Sequence, residues 1–151
     1  MKNLLLTVMT TIISIVASAQ SGKQVKWSYS AKKVADKTYE IHMTATIASG
    51  WHLYAQEAGD GGPIPTKFTF AKNPLVVFNN KTKEVGKLIK KYDQPFRVIL
   101  QYYEKTVDFI QTVKVTGNAA VTVVGKIQFM VSKGTETLPP AEIDFAVKVG
   151  G

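Results

Sequence analysis

The sequence predicts an all-β fold, an antiparallel sandwich of about nine strands around one hydrophobic core. Three observations carry this. Apolar residues recur at every second position along four long stretches, the mark of half-buried strands. Glycine, proline, asparagine and serine turns cut the chain at the roughly 8–12-residue spacing of sandwiches and barrels. No convincing helical period competes: the best candidate, Lys83 to Lys91, is short, contains Gly86 and lacks a cap, so it is expected to be a loop or irregular edge.

Taken in order, residues 1–19 have the layout of a cleaved secretory signal. Lys2 gives the positive start, Leu4 to Val16 the apolar run, and Ala17-Ser18-Ala19 the small-residue cleavage site, so the mature chain is expected to begin near Ala19/Gln20. The run falls short of the about 20 apolar residues that a spanning helix needs. No cysteine follows it to carry a lipid anchor. Residues 20–151 are then one expected domain, long enough for a real core, with nothing beyond its last strand.

Within that domain, short strands are expected at Val25 to Ser30, Trp51 to Ala55, Thr66 to Ala71, Leu75 to Phe78 and Phe96 to Tyr102. Long ones are expected where Tyr39, Ile41, Met43, Ala45 and Ile47 alternate with polar residues, and again from Val107 to Val115, Val121 to Val131 and Ile143 to Val149. Between them lie turn sequences such as Ala48-Ser49-Gly50, Gly59-Asp60-Gly61-Gly62-Pro63, Lys72-Asn73-Pro74 and Lys133-Gly134.

The formal net charge is +8, or +7 once Lys2 is removed, which suits acidic partners or anionic surfaces. Lysines are scattered, with one denser run of five between Lys81 and Lys91 that is expected to be a solvated face. Export argues against nucleic acid as a partner. There is no cysteine, so no disulfide supports the fold and no thiolate can attack one.

Many short motifs stand in a recognisable order: Trp27-Ser28-Tyr29, Ala45-Thr46-Ile47, Gly50-Trp51-His52-Leu53-Tyr54, Gly61 to Thr66 and Phe68-Thr69-Phe70. They continue with Lys91-Tyr92-Asp93, Tyr102-Tyr103, Val107 to Gln111, Phe129-Met130-Val131 and Leu138-Pro139-Pro140. Over Val25 to Val147 the chain resembles the periplasmic N-terminal domain of the thiol:disulfide interchange protein DsbD, in its Bacteroidetes-type form. That resemblance implies an immunoglobulin-like sandwich and a periplasmic or extracellular location. It also implies two cysteines on neighbouring strands, relaying electrons from a membrane partner to periplasmic proteins, under a covering loop that carries aromatic side chains.

Against that pattern, Ser132 and Thr137 stand where the cysteine pair would be, just before Leu138-Pro139-Pro140. The covering loop, expected within Thr82 to Tyr92, has Val85-Gly86 in place of an aromatic pair. The expected function is therefore an exported, non-catalytic binding module with a degenerate redox site. Its partner would be another periplasmic or envelope protein, with no cofactor, no metal and no stable membrane insertion. The surface expected to bind comprises Tyr92, Tyr102, Tyr103, Met130, Lys133 and Glu136 around Ser132 and Thr137. Two alternatives are a role in thiol-disulfide interchange itself, and a carbohydrate- or envelope-binding sandwich using exposed aromatics among Trp51, Tyr54, Tyr92, Phe96, Tyr102 and Tyr103. Adjacent Tyr102 and Tyr103 point to opposite faces of a strand, so at least one is expected to face outward.

Other chemistry is weakly signalled. His42 and His52 are the only histidines, too few for a zinc site unless carboxylates contribute. Ser132, His52 and Asp60 supply the residue types of a triad, but no nucleophile elbow or oxyanion segment accompanies them. Glu142 and Asp144 share a strand face that is expected to be solvent. Gly59 to Pro65 lacks the lysine and following helix of a phosphate-binding loop.

Overall fold

The structure, a computed structural model, describes residues 21–151, so the expected signal segment lies outside the described residues. A single helical turn, α1 (Ser21–Gln24), leads into β1 (Val25–Ala35), β2 (Thr38–Ile47), β3 (His52–Tyr54), β4 (Lys67–Phe70) and β5 (Val76–Gly86). There follow β6 (Ile89–Asp93), β7 (Val98–Tyr103), β8 (Thr106–Val115), β9 (Val121–Phe129), β10 (Val131–Lys133), β11 (Glu136–Thr137) and β12 (Ala141–Val149).

Every expected strand is present, and three more bring the described total to twelve. The expected row from Val121 to Val131 breaks at Met130 into β9 and β10, because there the chain passes from one sheet to the next. The polar stretch around Glu136 and Thr137 pairs back on β10 as β11. Lys83 to Lys91, expected as a loop, is instead the end of β5 and most of β6. Its lysines hid it: β6 is an edge strand buried fully on neither face, so it needs no apolar alternation.

Among the described residues all strand pairings are antiparallel. One sheet runs β1-β2-β8-β5, a second β11-β10-β3-β7-β6, and a third β12-β9-β4. One core draws from all three: Ile41, Met43, Val107, Phe109 and Val113 from the first, Leu53, Tyr103 and Val131 from the second, and Val123, Ile127, Phe129 and Phe145 from the third. The first sheet is thus one layer of an immunoglobulin-like sandwich, and the other two, joined end to end through β9 and β10, form the opposing layer. Trp27 spans the layers, its ring 5.8 Å from Phe109 on its own side and 5.5 Å and 6.1 Å from Phe129 and Phe68 opposite. Among the described residues no helix is long and apolar enough to cross a membrane.

A chain of polar side chains crosses the sandwich beside this core. The Tyr103 hydroxyl donates to Glu84 Oε2 at 2.7 Å, and Glu84 Oε1 accepts the Gln56 backbone N–H at 2.7 Å. The Gln56 amide donates to the Thr82 carbonyl, and the Thr82 hydroxyl to Gln111 Oε1 at 2.8 Å. Gln111, buried among valines, donates in turn to the carbonyls of Asn79, Asn80 and Thr112. The Asn79 and Asn80 carbonyls stand at the irregularity in β5, where Asn80 adopts φ 62, so the glutamine holds the backbone at the point where the ladder shifts.

Two consequences are measurable. Gly125 lies under the Phe145 ring, and an added Cβ would sit 2.6 Å from that ring and 2.7 Å from the Thr69 carbonyl oxygen. Gly125→Ala is expected to lower stability by about 1–3 kcal/mol, read as a lower urea midpoint with an unchanged slope. Burial, then the hydrogen bond to Glu84 and that carboxylate's charge, raise the Tyr103 pKa above its ordinary value. The folded state therefore keeps a proton that the unfolded chain loses near pH about 10, so stability contributed by Tyr103 is intact below that pH and falls above it. Urea titrations on either side of pH about 10 are expected to show that fall reduced in Tyr103→Phe.

Candidate functional site

The turn at Gly134-Thr135 folds β11 directly back on β10. Gly134 takes φ 58 at the first central position, as a two-residue type II′ hairpin requires. Lys133 faces Glu136 across this hairpin and Ser132 faces Thr137. The next pair is closed by the Leu138 N–H donating to the Val131 carbonyl at 3.1 Å. Hydrogen-bonded and non-hydrogen-bonded pairs alternate along such a ladder, which makes Ser132–Thr137 a non-hydrogen-bonded pair. In these pairs the Cα atoms stand about 4.5 Å apart and the side chains are closest. The two positions expected to have lost their cysteines are thus direct cross-strand neighbours.

The two hydroxyl residues have different surroundings. Ser132 is buried, and its Oγ accepts the Tyr54 hydroxyl proton at 2.8 Å. Thr137 is exposed on β11, at one edge of the five-stranded sheet. On the other side of Ser132, β3 places His52 directly opposite. The His52 ring stacks on Tyr102 with centroids 4.1 Å apart, and its Nε2 lies 2.8 Å from Glu104 Oε1. The triad types considered from sequence therefore come together in part only: Ser132 and His52 are neighbours, but the carboxylate at the histidine is Glu104, and Tyr54 occupies the serine.

The expected binding surface does not form one patch. Lys133, Glu136 and Thr137 are exposed together on the β10–β11 hairpin. Met130 is half-buried against Tyr54, Ala58 and Tyr102, and its sulfur accepts the Ile64 N–H. Tyr102 and Tyr103 do point to opposite faces of β7, but both are buried, which corrects the expectation that one faces outward. Tyr103 enters the main core, and Tyr102 is covered by a smaller cluster that the segment after β3 lays over the sheet's outer face. Burial, with contributions from Glu104 and Tyr54, raises the Tyr102 pKa. Tyr92 is exposed, but on β6 at the opposite edge of the sheet, four strand spacings or about 19 Å from β11. Of the aromatics weighed as a sugar-binding strip, Tyr92 and Phe96 are exposed, whereas Trp51, Tyr54, Tyr102 and Tyr103 are buried.

Thr82 to Tyr92 is not a covering loop. It runs through two strands hydrogen-bonded to β8 and β7, and Gly86 sits where an added Cβ would touch the Tyr103 ring at 3.3 Å. Sequence reasoning missed Tyr54 as the partner of Ser132, although its place two residues after His52 puts both on one face of β3. It also missed Glu104, which no local pattern marks. His42 is tied to Asp108 at 2.6 Å on the outer face of the first sheet, and Lys126 bridges Glu142 and Asp144 in solvent. Among the described residues no cluster of three or more His, Asp or Glu forms a metal site.

The register makes a direct prediction. The Cα spacing of about 4.5 Å at such a pair lies inside the range that a disulfide bridges. Ser132→Cys with Thr137→Cys is expected to form an intramolecular disulfide on air oxidation, seen as the loss of two hydrogens by mass spectrometry and of two free thiols on titration. Persistent free thiols in the folded double variant would show that the positions do not form a redox pair.

No protein-family model matches the sequence, and no curated protein matches it either. Solved structures do match the fold. The N-terminal periplasmic domain of ScsB from Proteus mirabilis superposes with a TM-score of 0.57 at 15% identity over 83% of this chain, which spans 46% of that one. The N-terminal domain of DsbD from Neisseria meningitidis, in its reduced form, superposes with a TM-score of 0.54 at 15% identity, covering 85% of this chain and 88% of that one. The chain has the fold of the DsbD N-terminal domain, and it has that fold without a cysteine.

Proposed function

We propose that this protein is an exported, non-catalytic binding module in which the edge that would carry a redox pair serves as a docking edge for another periplasmic or envelope protein. The observation that supports this reading is the Ser132–Thr137 pair: two alcohols face one another across the β10–β11 ladder, at the positions where the resemblance puts the cysteines. An alcohol cannot cycle through a disulfide, and a serine hydroxyl is a poor nucleophile without a base at its oxygen. At Ser132 that oxygen is engaged by Tyr54. The likeness to periplasmic domains of ScsB and DsbD supports the location.

The edge itself fits a short, extended segment. In a non-hydrogen-bonded pair the backbone N–H and C=O of Thr137 point away from β10, open to an added strand. Pro139 and Pro140 follow and bring no N–H, which limits pairing to the stretch around Thr137. Lys133 and Glu136, exposed on either side of the turn, are placed to read the charge of what docks.

The test compares capture from a periplasmic extract by the immobilised wild type, Thr137→Pro and Lys133→Glu, with melting curves to show that each is folded. Thr137→Pro is expected to reduce capture of the partner by at least about tenfold, the scale of losing one or two backbone hydrogen bonds. The wild type is expected to show no insulin-reduction activity above buffer. Equal capture by all three proteins would dismiss the β11 edge, and turnover in the reduction assay would dismiss a non-catalytic role.

A further inference from the structure

At the far edge of the same sheet, β6 and β7 form a hairpin that is exposed at ten of the thirteen residues from Lys87 to Ile99. β6 is hydrogen-bonded to β7 and is the last strand of its sheet. Tyr92 and Ile99 face one another across the ladder, 54% and 55% exposed, and Phe96 in the connecting turn is 64% exposed. Phe96 is the most exposed large hydrophobic side chain among the described residues. Three large apolar groups are thus exposed at the turn end of this hairpin, where water penalises each of them.

The turn is built to hold them there. Asp93 Oδ1 accepts the Phe96 N–H at 3.0 Å, Pro95 fixes its own φ, and Arg97 takes a left-handed φ of 54. Asp93 is also the only acid in the hairpin, and its carboxylate is committed to this turn. Lys87, Lys90, Lys91 and Arg97 supply four positive charges against it, a net +3, and among the described residues none of the four joins an ion pair. Lys90 and Lys91 lie on opposite faces of the ribbon, so the cations surround the apolar end on both sides.

We propose that the β6–β7 hairpin docks on the surface of an anionic lipid bilayer. Phe96, Tyr92 and Ile99 enter the boundary between headgroups and acyl chains, and Lys90, Lys91 and Arg97 meet the lipid phosphates. The layout of the groups selects a bilayer over an acidic protein. A fluid surface takes up exposed apolar groups without a shaped socket, whereas a protein would need one with acidic walls facing Lys90 and Lys91 on both faces of the ribbon. Aromatic side chains at headgroup level with basic residues around them are the usual composition of an interfacial anchor. This attachment is peripheral and independent of the docking edge at β11.

Vesicle co-sedimentation with residues 20–151, which contain the whole sandwich, tests it. The protein is expected to sediment with phosphatidylcholine vesicles that contain phosphatidylglycerol and to stay in solution with phosphatidylcholine alone, and high salt is expected to release it. Arg97→Ser or Lys90→Ser is expected to weaken binding roughly fivefold each, and Phe96→Ser with Ile99→Ser to abolish it. These positions are exposed, so melting temperatures should be unchanged. Phe96→Trp provides a reading independent of affinity: its emission is expected to shift to the blue only with the anionic vesicles. The proposal is overturned by absence of sedimentation with anionic vesicles, by equal binding to neutral ones, or by retention of binding in the Phe96→Ser, Ile99→Ser protein. Binding to an acidic protein but not to vesicles would also overturn it.

Discussion

Contact between the two layers through Trp27 is the constraint on which the rest of the structure depends. With no disulfide available, the layers are held by packing, and the largest ring of β1 lies among Phe68, Phe109 and Phe129. Tyr29, Phe145, Phe70 and Phe78 continue the contact along the sandwich, with centroid separations of 4.8–5.8 Å. Offset and edge-on aromatic pairs contribute about 0.5–1.5 kcal/mol each beyond the area they bury. β9 is pinned at this centre by Phe129, and so are the point at which it passes into β10 and the hairpin beyond. The position of Ser132 and Thr137 therefore follows from the core.

A second constraint is polar. The line from Tyr103 through Glu84, Gln56 and Thr82 to Gln111 joins the five-stranded sheet to the irregular part of β5. Its two ends, Tyr103 and Gln111, are buried and would otherwise leave polar groups unpaired, and the part-buried side chains between them connect the two. It also steadies β5 at its break: the Gln111 amide reaches the carbonyls of Asn79 and Asn80, where the register with β8 shifts.

Most of the fold was legible in the sequence because most strands bury one face. Ile41 to Ile47, Val107 to Val115 and Val121 to Phe129 alternate as the core demands, and all became strands in register. β6 and β11 left no such trace: an edge strand with lysines on both faces, or a strand of two residues, gains its structure from its neighbour's backbone and not from its own pattern. At the candidate site, the juxtaposition of Ser132 and Thr137 was foreseeable from their flanking motifs. The burial of Tyr102 was not, because its cover comes from Ala58 and Met130, distant in sequence. The contact of Tyr54 with Ser132 and that of Glu104 with His52 were missed for the same reason, since they depend on which strands become neighbours.

The five-stranded sheet ends in β11 on one side and β6 on the other, with the strands β10, β3 and β7 between them. A hydrogen-bonded sheet is stiff along this direction, so the two edges keep one separation and one relative orientation. A molecule engaged at both edges is a spacer of fixed length and not a flexible tether. Something held at the first edge would explore only a thin shell above whatever holds the second, which raises its local concentration there without any new contact.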